Sequence, residues 1–245
     1  MIIESKVNNK IKDLCKLHTK KYRDRFDRFL IEGDHIIKEA YQKGYLIELI
    51  VLEGNKIKLP DFKRITYVTE NIMKEITSLE TVPKVIGVSE KPKPGIIGDK
   101  ILILEDVQDP GNIGTIIRSS VAFNIDTLIM TKGCADIFSS KVIRATQGMI
   151  YNVNIIHKEV DEVMGEIKYK GIPVYGTRVN RGNNLKTLAK TEKFAIIMGN
   201  EGAGVTKETL RQCDEFITIR MNSKCESLNV GIATSIVLYE FDKKV

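Results

Sequence analysis

Ile101-Leu102-Ile103-Leu104-Glu105-Asp106-Val107-Gln108-Asp109-Pro110-Gly111-Asn112-Ile113-Gly114-Thr115-Ile116-Ile117-Arg118 reads as one complete strand, turn and helix. Its first four residues are apolar without alternation, as in a strand buried on both faces. Pro110 and Gly111 mark a turn, Asn112 can cap a helix, and the residues after it keep helical period. The same unit recurs downstream. Apolar runs at 127–130, 153–156, 173–176, 194–198 and 216–221 are separated by helical stretches near 139–149, 160–170, 185–190 and 207–212, and a strongly apolar helix begins at Val230. This alternation predicts an α/β fold with a parallel sheet covered by helices on both faces. Such sheets bind ligands beyond the carboxyl ends of their strands.

Upstream, residues 88–100 hold two prolines and two glycines among charges, the composition of a linker. It divides the chain into a first domain at 1–90, a linker at 91–100 and a second domain at 101–245. The first domain reads as a small α/β unit: a basic helical stretch over 7–22, strands at 29–32, 47–52, 65–68 and 85–88, and helices at 34–43 and 70–78. The net charge of +6 is uneven, with 19 Lys and Arg against 14 Asp and Glu in residues 1–98, and 19 against 18 in the remainder. A polyanionic partner is therefore expected at the N-terminal part. Within 6–28, nine basic residues, among them Lys16, Lys20, Lys21, Arg23 and Arg25, interleave with Tyr22 and Phe26. Lys and Arg neutralise phosphates and aromatics stack on bases, so these residues are candidates for RNA contact.

Several function classes are set aside. Cys15, Cys134, Cys213 and Cys225 are scattered and the three histidines do not cluster with them, so no metal is expected. No run reaches the length of a membrane span, the start of the chain lacks a signal-peptide core, and a cytoplasmic location is expected. The glycine-rich Met198-Gly199-Asn200-Glu201-Gly202-Ala203-Gly204 is neither a Walker loop nor a dinucleotide fingerprint, because no Gly-Lys-Ser/Thr follows and it comes at the fifth strand of the unit.

Three motifs remain, all at strand ends: Asn112–Arg118, Gly199–Gly204, and Glu226-Ser227-Leu228-Asn229-Val230 between the last strand and the last helix. Each alone is compatible with a turn and a cap. In this order and spacing the chain resembles, over essentially its whole length, the SpoU/TrmH family of RNA ribose 2'-O-methyltransferases of the SPOUT superfamily. Asn112, Gly114 and Arg118 match its first motif, Gly199, Glu201 and Gly202 its second, and Ser227 to Val230 its third. The stretch from Lys12 to Gly33 is similar to the ribosomal-protein-like substrate-binding domain of ribosomal RNA members. The third motif departs from the family at Arg220–Cys225, where a proline and a glycine are missing.

The resemblance implies a C-terminal trefoil knot, a homodimer, and S-adenosylmethionine as cofactor. It implies polar active-site positions at Asn112, Arg118, Glu201, Ser227 and Asn229, and cofactor contacts at Thr177, Gly199, Ile219, Met221 and Leu228. Glu201 is expected to brace the glycine loop by accepting backbone N–H bonds. Ribosomal RNA, 23S in particular, is the favoured substrate over transfer RNA, because of the N-terminal domain. The alternative from another class is a non-catalytic RNA-binding or ribosome-assembly factor.

Overall fold

The structure, a computed structural model, describes residues 2–57, 59, 61–180, 182–188 and 191–242. In chain order it contains β1 (Ile2–Ile3), α1 (Asn9–Lys16), α2 (Lys20–Phe26), β2 (Arg28–Glu32), α3 (Asp34–Gln42), β3 (Leu46–Leu52), β4 (Ile65–Val68), α4 (Glu70–Ile76) and β5 (Val85–Glu90). Then follow β6 (Lys100–Leu104), α5 (Pro110–Ala122), β7 (Thr127–Met130), α6 (Ser140–Thr146), β8 (Asn154–His157), α7 (Val160–Tyr169), β9 (Val174–Thr177), β10 (Asn183–Asn184), β11 (Phe194–Met198), α8 (Lys207–Leu210), β12 (Glu215–Thr218) and α9 (Val230–Asp242).

Two compact units result: Met1–Lys93 with Asp136–Tyr151, and Pro94–Ala135 with Asn152–Val245. A single cut at 91–100 therefore does not describe the chain. The segment 136–151, expected inside the second domain, returns to complete the first unit. Pro94 onward already belongs to the second, where Asn154 ties the former linker down by accepting from Gly95 N at 2.7 Å and donating to Ile96 O at 2.8 Å.

The first unit is built on a mixed sheet of order β1-β4-β3-β5-β2. The expected helix over 7–22 is two helices. Leu17 closes α1, and Thr19 takes an extended conformation ahead of α2. The returning segment supplies part of this core: the rings of Phe29 and Phe138 lie 4.9 Å apart, and the buried Tyr151 hydroxyl donates to Ser89 Oγ at 2.7 Å. Desolvation raises the Tyr151 pKa, so it stays a neutral donor.

The second unit carries an all-parallel sheet of order β10-β12-β9-β11-β6-β7-β8. Its central strands are continuous buried runs, Ile101–Leu104 and Phe194–Met198 among them, as the lack of alternation predicts. The chain runs from β6 outward through β7 to β8, then crosses back to β9 and β11 on the other side of β6. The strand order thus switches direction beside β6, the place where open parallel sheets bind ligands. The strand expected over 216–221 stops at Thr218. Ile219 and Met221 have strand-like chemistry but leave the sheet and line a cavity. The expected helix at 185–190 is a single 3-10 turn, Leu185–Thr187, within the described residues.

Candidate active site

At the carboxyl ends of β9, β11 and β12 lies a cavity of about 370 Å³. Gly199–Gly204 forms one side of it. Asn200 shapes that loop: its Oδ1 accepts from Gly202 N at 2.9 Å and Ala203 N at 3.1 Å, while its Nδ2 donates to Asp106 O at 2.8 Å. Gly199 is the point of closest approach. A Cβ there would stand 2.1 Å from Gly204 C and Val205 N, both backbone atoms, so no other residue fits this loop shape.

The opposite wall comes from the segment before α9. Ile219, Met221, Ser227 and Leu228 line the cavity, as does Thr177 across from them. Thr177 Oγ1 donates to Ile197 O at 2.8 Å, which fixes its methyl. The departure at Arg220–Cys225 has a local substitute for the missing glycine and proline. Asn222 makes its own turn, its Oδ1 accepting from Lys224 N at 2.9 Å and its carbonyl from Cys225 N at 2.9 Å.

Beside the cavity runs a chain of polar side chains. Glu201 accepts from Gln108 N at 3.2 Å, Asp109 N at 3.1 Å and Asn112 Nδ2 at 3.0 Å. Asn112 Oδ1 in turn accepts from Asn229 Nδ2 at 2.8 Å. Asn229 Oδ1 caps α9, accepting from Gly231 N at 3.0 Å and Ile232 N at 3.2 Å. Glu201 therefore braces the 108–112 turn; the glycine loop it was expected to brace is held by Asn200. Burial pushes the Glu201 carboxyl up, but the donors from Asn112, Asp109 and Gln108 outweigh it and hold the group below the usual glutamate range.

Two of the capping expectations resolve differently from one another. At α5 the cap is Asp109, whose Oδ1 accepts from Asn112 N at 2.8 Å. That leaves the Asn112 side chain free to join Glu201 to Asn229. At α9 the cap is Asn229 alone, and Ser227 instead lines the cavity.

Arg118 stands apart. It is exposed on α5, does not line the cavity, and makes no ion pair or side-chain hydrogen bond among the described residues. The basic residues of the first unit also separate. Lys20, Lys21 and Arg25 are exposed on α2, with Arg25 over the half-exposed Phe26 ring, and Lys16 pairs with Asp13 at 2.8 Å. Arg23 is a correction: it is 6% exposed, its guanidinium donating to Leu17 O, His18 O and Asp136 Oδ2. It holds the returning segment in place and has no face to offer RNA.

Sequence reasoning passed over Asn200, Glu105 and Arg178. Glu105 is a buried carboxylate that accepts from Thr206 N at 2.8 Å and from the hydroxyls of Thr206 and Thr209, anchoring the turn after the glycine loop. The acidic pair Glu105-Asp106 directly after the apolar run 101–104 was the available signal. Arg178 lines the cavity after β9 and carried no motif.

Residues 99–239 match the SpoU rRNA Methylase family, and residues 8–87 match the MRM3-like substrate binding domain. The 23S rRNA (guanosine(2553)-2'-O)-methyltransferase RlmP of Bacillus subtilis is 35% identical over 241 residues, 97% of each chain. A solved RNA 2'-O ribose methyltransferase, 26% identical, superposes with a TM-score of 0.84 over 100% of this chain and 99% of its own. The S-adenosylmethionine-bound rRNA methyltransferase of Sinorhizobium meliloti, 27% identical, does so with a TM-score of 0.87 over 99% of this chain and 97% of its own. S-adenosylmethionine-dependent methylation of an RNA ribose 2'-hydroxyl is the reaction of this group, and the chain belongs to the SpoU rRNA methylase family.

Proposed function

We propose that this protein methylates a ribose 2'-hydroxyl of 23S ribosomal RNA in the cytoplasm, as a homodimer, with the cavity at the ends of β9, β11 and β12 holding the cofactor. The observation that carries the reading is the polar chain Glu201–Asn112–Asn229 set against a glycine-walled cavity. The wall fits the cofactor by its chemistry: apolar side chains such as Leu185, Ile219 and Leu228 suit an adenine, and the backbone of 199–204 offers hydrogen bonds at close range. The trefoil knot implied by the resemblance belongs to this reading. S-adenosylmethionine, when bound, supplies a methyl group on a positively charged sulfur.

The chain's own residues must then align the acceptor and manage its proton. Ser227, at the cavity edge, positions the hydroxyl. Asn112 and Asn229 set the spacing between the first and third motifs, so that the donor wall and the acceptor side keep one geometry. Arg118, uncommitted and exposed, clamps the phosphate beside the acceptor and stabilises the developing alkoxide. A guanidinium, with five fixed N–H donors and no acceptor, serves those roles better than that of a base. The first unit selects the RNA, with Lys16, Lys20, Lys21 and Arg25 contacting phosphates and Phe26 available to stack on a base.

The dimer is supported by α9. Ile232, Ile236 and Tyr239, at helical spacing, are 53%, 36% and 46% exposed on a helix whose other side is buried. Sedimentation of the wild type and of an Ile236→Lys variant tests it; a wild type that sediments as a monomer at micromolar concentration removes the dimer. The activity is tested by mapping 2'-O-methyl groups in ribosomal RNA from cells with and without the gene. Loss of one 23S position, restored by the purified protein and S-adenosylmethionine, is expected. An unchanged 23S map with a changed transfer RNA would move the substrate to transfer RNA.

A further inference from the structure

Among the described residues, the cavity wall carries one carboxylate, Glu201, and one cation, Arg178. Glu201 is occupied by the 108–112 turn. Arg178 has no such partner: among the described residues its side chain makes neither an ion pair nor a hydrogen bond. It is nevertheless held in place. Its N donates to Ile217 O at 2.9 Å, its carbonyl accepts from Thr218 Oγ1 at 3.0 Å, and the guanidinium carbon sits 3.7 Å from the centroid of the Phe216 ring. Stacking on an aromatic face occupies the plane of the guanidinium and leaves its N–H edge open.

An unpaired cation beside a binding cavity repels a cationic ligand unless it meets an anionic group on it. S-adenosylmethionine carries a sulfonium, an ammonium and one carboxylate, so it is net positive and has a single group that an arginine can take. We propose that Arg178, held over the Phe216 ring, anchors the α-carboxylate of S-adenosylmethionine and so sets which end of the cavity receives the methionine arm. This is a binding and positioning role, outside the chemistry itself, and it rests on the cavity being the cofactor site.

Calorimetry on the full-length protein separates the two ideas. The ligands are S-adenosylmethionine and its decarboxylated analogue; the proteins are wild type, Arg178→Gln and Arg178→Lys. Wild type is expected to prefer the carboxylated ligand by about tenfold or more, the size of a charge-assisted contact. Arg178→Gln should lose that preference by weakening S-adenosylmethionine alone, and Arg178→Lys should keep part of it. Equal weakening of both ligands would make Arg178 a structural residue and overturn the proposal. Unchanged S-adenosylmethionine affinity would overturn it too; a raised KM for RNA alongside would assign the arginine to a phosphate. A wild type that binds neither ligand sinks the cavity reading itself, before any variant is compared.

Discussion

Asn112 and Asn229 stand 117 positions apart and share one hydrogen bond of 2.8 Å, from the cap of α9 to the first turn of α5. Asp at 229 would still cap α9, because a carboxylate accepts from Gly231 N and Ile232 N as the amide oxygen does. It has no proton to give Asn112, and two oxygens would face each other. Asn229→Asp is therefore expected to unfold at nearly the wild-type temperature while turnover falls about tenfold or more. Full turnover in a variant of normal stability would show that the contact is dispensable.

Glu201 makes stability depend on pH in a defined direction. Its folded pKa is depressed, so its contribution is present in full above the ordinary glutamate range and is lost as pH falls through the folded value. Denaturant titrations of wild type and Glu201→Gln should differ by a constant amount at neutral pH, and the difference should shrink in acid, below the ordinary glutamate range. A gap that stays constant in acid would mean that the carboxylate form is not what the three donors recognise.

Gly199→Ala places a methyl 2.1 Å from two backbone atoms. The loop must shift, at a cost of about 1–3 kcal/mol. Because that loop is a cavity wall, loss of S-adenosylmethionine binding by calorimetry should accompany the lowered melting temperature. Ala at Gly202, where the nearest atom to a new Cβ is 3.6 Å away, is the control and should bind normally.

Arginine and lysine residues of the first unit should separate into two behaviours. Arg23→Ala removes a buried guanidinium with three acceptors and is expected to destabilise by about 3–5 kcal/mol. A triple Lys20→Ala, Lys21→Ala, Arg25→Ala variant should fold normally, bind RNA more weakly and show a shallower salt dependence. An unaltered salt slope would take α2 out of the RNA contact.

Arg118→Lys keeps the charge and removes the fork. If Arg118 clamps phosphate and alkoxide together, single-turnover methylation should slow about tenfold or more with cofactor affinity unchanged. Near-wild-type turnover in the lysine variant would refute the clamp.

Much of this architecture is legible in residue order. The strands at 127–130 and 194–198 begin and end where their apolar runs do, because both faces are buried and nothing else competes for those side chains. The strand expected over 216–221 ends three residues early, at Thr218, because the apolar side chains of Ile219 and Met221 serve a ligand wall as well as a sheet. The break between α1 and α2 has no glycine or proline to announce it. The motif residues Asn112, Glu201 and Asn229 meet as their spacing suggests, yet which of Asp109, Asn112, Ser227 and Asn229 would cap depended on where each side chain found its partner. Arg23 differs from Arg25 only by facing inward, a property of helix rotation against a neighbour that no local pattern encodes.

The return of residues 136–151 bears on how the chain is made. A ribosome delivers Phe29 and Arg23 long before Phe138, Tyr151 and Asp136, so the nascent first unit must wait, with an open flank, while all of β6, α5 and β7 is synthesised. The first unit is finished only once part of the second has been translated. A chain truncated near residue 93 would leave that flank permanently bare, and the two halves reach their native form as products of one continuous translation.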